Sequence, residues 1–228
     1  MTPEEIAALR QAMRERHMVR AYTDNPLPRD IVAKLEERVR AYNKQYKLAI
    51  KLMVNDSRAF GRFIKMLLAK NVQNYFIMAG DNAEDLGERL GYCGAELMLY
   101  CQTLGLNTWW VSGTFNRNKT EKLVNLKEVV GVIAVGYGAT QGVPHESKRP
   151  EDVCTYESYD GVTPQWFTDG IEAALLAPTA RNEQAFFIRG IGTEVILKYD
   201  EGFFSGVDTG LVKYHFELGA GKENFSWL

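Results

Sequence analysis

No run of this chain approaches the about 18 consecutive apolar residues that a membrane-crossing helix needs. Its N-terminal stretch, Met1 to Arg16, is polar and amphipathic and lacks the apolar centre of a secretory signal, which points to the cytoplasm. Cysteine is scarce: Cys93, Cys101 and Cys154 make neither a CxxC pair nor an even disulfide framework. Cys93 and Cys101 fall on one helical face and read as core fillers. The three histidines are not at metal-ligand spacing, so no metal site is expected. No GxGxxG follows a strand, and GxxxxGK[ST], HExxH and GxSxG are absent, which argues against a dinucleotide-binding βαβ unit, a P-loop, a zincin and a hydrolase elbow. A net charge of −2 and a pI near 6.0 exert no general pull on nucleic acid or anionic membranes, although a few local arginines can still hold a small anion.

What is present is the composition of a folded protein, 46% hydrophobic with eleven Tyr and eleven Phe. At 228 residues the chain has room for one large domain or two small fused ones. Spacing predicts helices over Pro3–Arg14 (Thr2 as cap), Arg29–Tyr42, Arg58–Ala69, Ala83–Leu104, Trp166–Leu176 and Val207–Leu218. Strands are expected at Lys47–Val54, Asn74–Met78, Thr108–Val111, Val129–Val135 and Phe186–Arg189, and a loop over Gly138–Tyr156. Leu86, Leu90, Cys93, Leu97, Cys101 and Leu104 give the Ala83–Leu104 helix one buried stripe. Gly91 and Gly94 inside it each cost about 1 kcal/mol relative to Ala, so something should pack closely there. Several connections look like hairpins, which favours α+β, with helices on a mixed or antiparallel sheet.

The chain also resembles itself. Leu27-Pro28 and the helix after it align without a gap on Thr163-Pro164 and its helix, with Leu35 on Ile171 and Glu36 on Glu172. Downstream, Cys93 to Gly105 parallels Thr209 to Gly221, placing Gly94 on Gly210. Any two proline-started amphipathic helices align this well, so chance similarity is the competing explanation. If the repeat holds, residues 1–156 and 157–228 are two unequal copies, and paired helices should meet at Gly94 and Gly210.

Four polar constellations stand out. Arg16 and Arg20, flanking His17 and Met18 beyond a helix end, can converge on a phosphate; a pair of solvated arginines fits equally simply. Pro178 ends a helix, and Thr179, Ala180, Arg181, Asn182 and Gln184 then form a polar turn able to read the edge of a planar heterocycle, or merely an ordinary capped turn. Trp110 leads into Ser112-Gly113, where a ligand can approach the backbone, unless this is a plain strand exit. Lys148-Arg149 lies in a basic loop that can close over phosphate or stay solvated.

Together these segments resemble the FMN-dependent nitroreductase family. Arg16-His-Met-Val-Arg-Ala-Tyr22 is similar to its Arg-Arg-Ser-Val-Arg-x-Phe arm, and Ala177-Pro-Thr-Ala-Arg-Asn-Glu-Gln184 to its Ala-Pro-Ser-x-x-Asn-x-Gln signature. Leu104 to Gly113 resembles Leu-Gly-Leu-Gly-x-x-Trp-x-Gly-Gly, and Val135-Gly-Tyr-Gly with Lys148-Arg-Pro150 resembles the late strand and its basic tail. The order is unusual. In ordinary members the Ala-Pro-Ser element follows the first helix after the arm, where this chain has Ala41-Tyr-Asn-Lys-Gln-Tyr46. Ordinary members are homodimers whose FMN lies between the arm of one subunit and the turn of the other. The resemblance is therefore to a tandem-repeat branch, one chain imitating the dimer, monomeric and with one site.

The resemblance implies a nitroreductase-like fold and an FMN enzyme that takes electrons from NAD(P)H to a nitroaromatic, quinone or similar small acceptor. It implies that Arg16, with Lys148 or Arg149, neutralises the FMN phosphate within the His17–Met18 arm. Arg20, Asn182 and Thr179 would reach the ribityl chain and pyrimidine edge, beside Ala180. The N–H groups at Ser112-Gly113 would approach N5, and Pro178, Trp110 or Phe115 would wall the ring. Met18 stands where the family has serine, which removes one hydrogen bond. The cofactor carries the chemistry, so no protein acid, base or nucleophile is expected. An FMN carrier or sensor without turnover, and a flavin-free binding module, are the alternatives on the same scaffold.

Overall fold

The computed structural model describes residues 1–61, 64, 68–158, 161–200, 202 and 204–228. Helix α1 (Pro3–Glu15) opens with a capping box: Glu5 N–H donates to Thr2 Oγ1, and Thr2 N–H to Glu5 Oε2 at 2.9 Å. Pro28 starts α2 (Arg29–Tyr46), which buries Leu35, Val39 and Tyr42. Then come β1 (Lys51–Met53), β2 (Tyr75–Gly80), α3 (Leu86–Thr103), β3 (Asn107–Val111), α4 (Arg117–Leu123) and β4 (Glu128–Gly136). The second part holds α5 (Pro150–Val153), β5 (Cys154–Glu157), α6 (Gln165–Ala174), β6 (Phe186–Ile191), β7 (Glu194–Tyr199), α7 (Ser205–Ala220) and β8 (Ser226–Trp227).

The strands form two four-stranded sheets. The first has order β1-β2-β4-β3 and is antiparallel throughout. The second, β5-β6-β7-β8, is mixed: β5 runs parallel to β6, β7 antiparallel to β6, and β8 parallel to β7. Trp109 and Trp110 show how the pleat divides the first sheet. Trp109 faces a core with Phe60, Tyr75 and Val132, whereas Trp110 faces α3 and the larger core shared by the helices and both sheets. In the second half, Phe216 of α7 meets Phe167, Phe225 and Trp227, and Trp166 stacks on Phe225.

The α+β expectation holds, and most elements lie where periodicity put them. The exceptions have local causes. The loop expected over Gly138–Tyr156 contains α5 and the start of β5, because Pro150 begins a helical turn and Cys154 then pairs with Ile188. The strand expected at Lys47–Val54 shrinks to Lys51–Met53, since Lys47 takes a left-handed φ of 52° and only Leu48 bridges to Gly80. Of the helix expected over Arg58–Ala69, residues 62, 63 and 65–67 lie outside the described residues, and residues 58–60 form a turn. Three further elements, α4, β7 and β8, have no counterpart in the sequence reading. β5 also runs across the expected boundary between residues 156 and 157.

Helices α3 and α7 pack backbone to backbone, but not at Gly94. A Cβ on Gly91 would lie 2.0 Å from Val207 O, and one on Gly210 would lie 2.0 Å from Glu88 O. Gly87 and Gly206 face one another beside them. Gly94 is taken up elsewhere: the Trp110 ring lies 2.2 Å from where its Cβ would be. Gly210→Ala would gain about 1 kcal/mol of helix propensity. Crowding should reverse that gain and cost roughly 3 kcal/mol net, measured by denaturant unfolding. The exposed control Gly113→Ala, whose Cβ meets nothing within 4 Å, should be near neutral. Equal stability for Gly210→Ala and the parent would contradict the close crossing.

Candidate functional site

The arm begins where α1 ends. Arg16 is the helix's C-cap, its N–H donating to Ala12 O at 2.8 Å, and the chain then extends along the edge of β3. Met18 bridges to Thr108, and Val19 N–H donates to Thr108 O. This path turns Arg16 inward until it is only 6% exposed. Its Nε is buried without a partner, and no carboxylate pairs with it among the described residues. Burial pushes its pKa down to about 10, so it remains a cation at neutral pH. A buried, unpaired guanidinium is expensive for a fold and is a prepared place for an anion.

Arg20 does not join it. Arg20 is exposed, its guanidinium carbon 5.0 Å from the centre of the Trp109 ring. Of the two arginines, Arg16 is the buried member and Arg20 the exposed one. His17 is half-buried and Met18 is exposed.

The turn is formed because Pro178 cannot continue α6. Thr179 is buried, and its Oγ1 accepts from Gln184 N–H at 3.2 Å. Ala180 N–H donates to both carboxylate oxygens of Asp208, and Asn182 Nδ2 to Glu146 O at 2.6 Å. The last bond brings the turn against the basic loop. There Lys148 is already occupied, its N–H and its Nζ reaching Gln184 Oε1 at 2.7 Å and Gln184 O at 3.0 Å. Arg149 is an exposed side chain clamped by Glu151 and Asp152. Of the two basic residues, Lys148 lies against the turn while Arg149 faces its own helix.

Trp110, Ser112 and Gly113 lie at the exit of β3. Trp110 Nε1 donates to Ser112 Oγ at 2.7 Å, and the ring covers Gly94. Gly113 is open, with space around its backbone. At Ala41–Tyr46 α2 simply continues. Asn43 there uses both ends of its amide on Ile50, with Nδ2 donating to Ile50 O and Oδ1 accepting its N–H, each at 2.8 Å.

Two histidines missed in the sequence reading, His145 and His215, bear on the arm, as His17 does within it. His145 Nε2 lies 3.0 Å from Leu175 O and 3.3 Å from Gln184 Nε2, so it joins the basic loop to the turn. His17 is held below the usual range, first by burial and then by the charges of Arg16 and His145. His215, on α7, is fully buried with Nδ1 donating to Leu211 O at 2.8 Å. Burial first, with Arg16 and His145 adding to it, pushes His215 down to about 3. His17 at α1's end and His215 on α7 thus both feel the charge of Arg16, and both feel His145 of the basic loop. No pairwise motif signals this, because the three are far apart in sequence.

Comparison with known proteins can now be set beside this geometry. The family described as "Putative TM nitroreductase" matches residues 8–220. The chain belongs to this nitroreductase family. A "putative nitroreductase" from Thermotoga maritima has the same fold with a TM-score of 0.70 and 19% identity, covering 94% of this chain and 84% of that one. A "putative nitroreductase in complex with FMN" from Desulfovibrio desulfuricans reaches 0.51 at 16% identity, covering 67% of this chain and 96% of that one. Another such complex, from Exiguobacterium sibiricum, gives 0.51 at 13% identity, with 63% and 94% covered. At these identities the likeness is one of fold, and it bears out the nitroreductase-like architecture. No curated protein matches the chain. Among the described residues, no helix of this nitroreductase-family protein is long and apolar enough to cross a membrane, and no cluster suits a metal ion.

Buried His215 has a consequence for stability. Its native pKa, about 3, lies below the unfolded value of 6.5, so only the unfolded chain takes up the proton between them. The contribution is present above about pH 6.5 and is lost as pH falls toward 3, by up to roughly 1.4 kcal/mol per pH unit. His215→Gln should flatten the slope of stability between about pH 6 and pH 4 in urea titrations. Identical slopes would show that His215 titrates normally.

Proposed function

We propose that this chain is an FMN-dependent oxidoreductase that takes electrons from NAD(P)H to a small nitroaromatic, quinone or similar acceptor. The observation that carries the proposal is Arg16: a buried cation without a counter-ion, on the arm whose sequence resembles the family's phosphate-binding element. FMN's phosphate supplies the missing charge, and Lys148, beside the turn, adds a second cation nearby. FMN, when bound, supplies the hydride and electron chemistry. The chain's own groups bind and orient. Thr179, Ala180 and Asn182 would present hydroxyl and amide groups to the ribityl chain and pyrimidine edge, with Pro178 alongside. Ser112 and open Gly113 would offer backbone N–H groups near N5, with Trp110 as part of the wall. His17 and Met18 line the phosphate end. Arg20 stays at the rim on Trp109, and Arg149 acts through the general field if at all.

The same reading makes the chain a single-polypeptide pseudo-dimer of residues 1–156 and 157–228. It is supported by the reciprocity of the helix crossing. Gly91 meets Val207 as Gly210 meets Glu88, and the pairs Gly87/Gly206, Gly91/Gly210 and Leu86/Ser205 share one spacing. The equivalence that pairs Gly94 with Gly210 is therefore displaced by three residues. Arg16 and the Pro178 turn come from different halves, and His145 of the first half meets the second at Leu175 O and Gln184 Nε2. Asn43, tied to Ile50, leaves the first half without a working turn, so one flavin per chain is expected.

The purified chain should be yellow, absorb near about 450 nm and bleach anaerobically with NAD(P)H. Colour without bleaching would make it a flavin carrier, and a colourless chain that FMN cannot reconstitute would end the flavin reading. Arg16→Ala and Asn182→Ala should each weaken FMN binding about tenfold or more, read from quenching of flavin fluorescence. Unchanged affinity in Asn182→Ala would count against a site shared between the halves.

A further inference from the structure

The turn carrying Thr179, Ala180 and Asn182 is bent against its own backbone preferences. Arg181, Asn182 and Gln184 all take left-handed φ values, 54°, 59° and 46°. Residues with side chains hold such angles only where the surroundings over-determine them. Most of the ties are local to the turn and the loop facing it: Gln184 N–H to Thr179 Oγ1, Asn182 to Glu146 O, and Gln184 Nε2 to Leu175 O at 2.9 Å.

One tie comes from outside. Asp208, in the first turn of α7, accepts the Ala180 N–H with both carboxylate oxygens, at 3.2 and 3.0 Å. The Tyr199 hydroxyl of β7 donates to its Oδ2 at 2.8 Å. The carboxylate is buried, and the titratable groups that bear on it are Tyr199 and, with like charge, Glu183 of the turn. Burial pushes its carboxyl up to about 6, against the two hydrogen bonds that favour the charged form. A neutral amide of the same shape would cost the fold less. Asp208 also lies between Gly206 and Gly210, so the helix crossing sets where it stands.

We propose that Asp208 is a positioning residue for the flavin-binding turn: its carboxylate fixes Ala180 and so the register in which Thr179 and Asn182 meet the ligand. The inference rests on the FMN reading above for the identity of that ligand. It makes Asp208 a buried charge kept for the site and at the expense of the fold, the pattern expected where function and stability pull apart.

The test uses Asp208→Asn and Asp208→Ala in the full chain with three readouts. In flavin-free protein, amide hydrogen exchange at Ala180 should quicken about tenfold or more in Asp208→Ala and less in Asp208→Asn, whose Oδ1 still accepts. FMN affinity should fall about tenfold in Asp208→Ala and partly recover in Asp208→Asn. The thermal midpoint of Asp208→Asn, at about pH 8 where the native carboxylate is charged, should equal or exceed that of the parent. A merely structural residue would lose midpoint and affinity together in Asp208→Asn, and that result would overturn the proposal. Unaltered exchange at Ala180, or unaltered FMN affinity in both variants, would overturn it too. A parent chain that takes up no FMN would sink the flavin reading instead, and the exchange result would then decide alone whether Asp208 positions the turn.

Discussion

The close crossing of α3 and α7 is the constraint on which the rest of the structure depends. Glycine at positions 91 and 210, with Gly87 and Gly206 facing one another beside them, lets the two backbones approach until a methyl group added at 91 or 210 would collide with a carbonyl. That approach joins the two sheets through one apolar core. It also decides where the first turn of α7 stands, and so where Asp208 and, through it, Ala180 stand. Arg10 of α1 strengthens the same seam from the other side, donating to the carbonyls of Leu218 and Gly219 at the far end of α7.

Around that seam the electrostatics run one way. Arg16, His17 and His215 lie where burial first, and like charge after it, hold protons off these two histidines and leave the guanidinium as the lasting charge. Fold stability gains nothing from such an arrangement, whereas a bound anion relieves it. The buried carboxylate of Asp208 is spent on a backbone N–H and a phenol. In the proposed site the two charges would act on different parts: Arg16 on the ligand, Asp208 on the turn that receives it.

Much of this was legible in the sequence, and the reason differs by element. The α3 stripe from Leu86 to Leu104 stated its helix plainly because an apolar repeat of three and four is set by local geometry. Which of its glycines touches α7 was not legible, since Gly91 and Gly94 differ only by rotation about the helix, and a ring of Trp110 fills the second. β7 escaped notice although Gly192-Thr193 ahead of Glu194-Val-Ile-Leu-Lys-Tyr199 is a usable hairpin signal; β8 is too short to carry any. Arg16 stood out by type and company, yet its burial depends on Thr108, ninety-odd residues away, holding the arm to β3. His145 and Asp208 were silent for the same reason: each matters through a partner, Leu175 or Ala180, that only the folded chain brings near.

The central claim is that two unequal halves of one chain build a single flavin site. Light scattering coupled to gel filtration, with flavin released and counted from the same peak, tests it most directly. The account predicts a species of about the 25.8 kDa chain mass carrying one FMN. An obligate dimer with two FMN per chain, or with its flavin lost whenever the dimer dissociates, would contradict it.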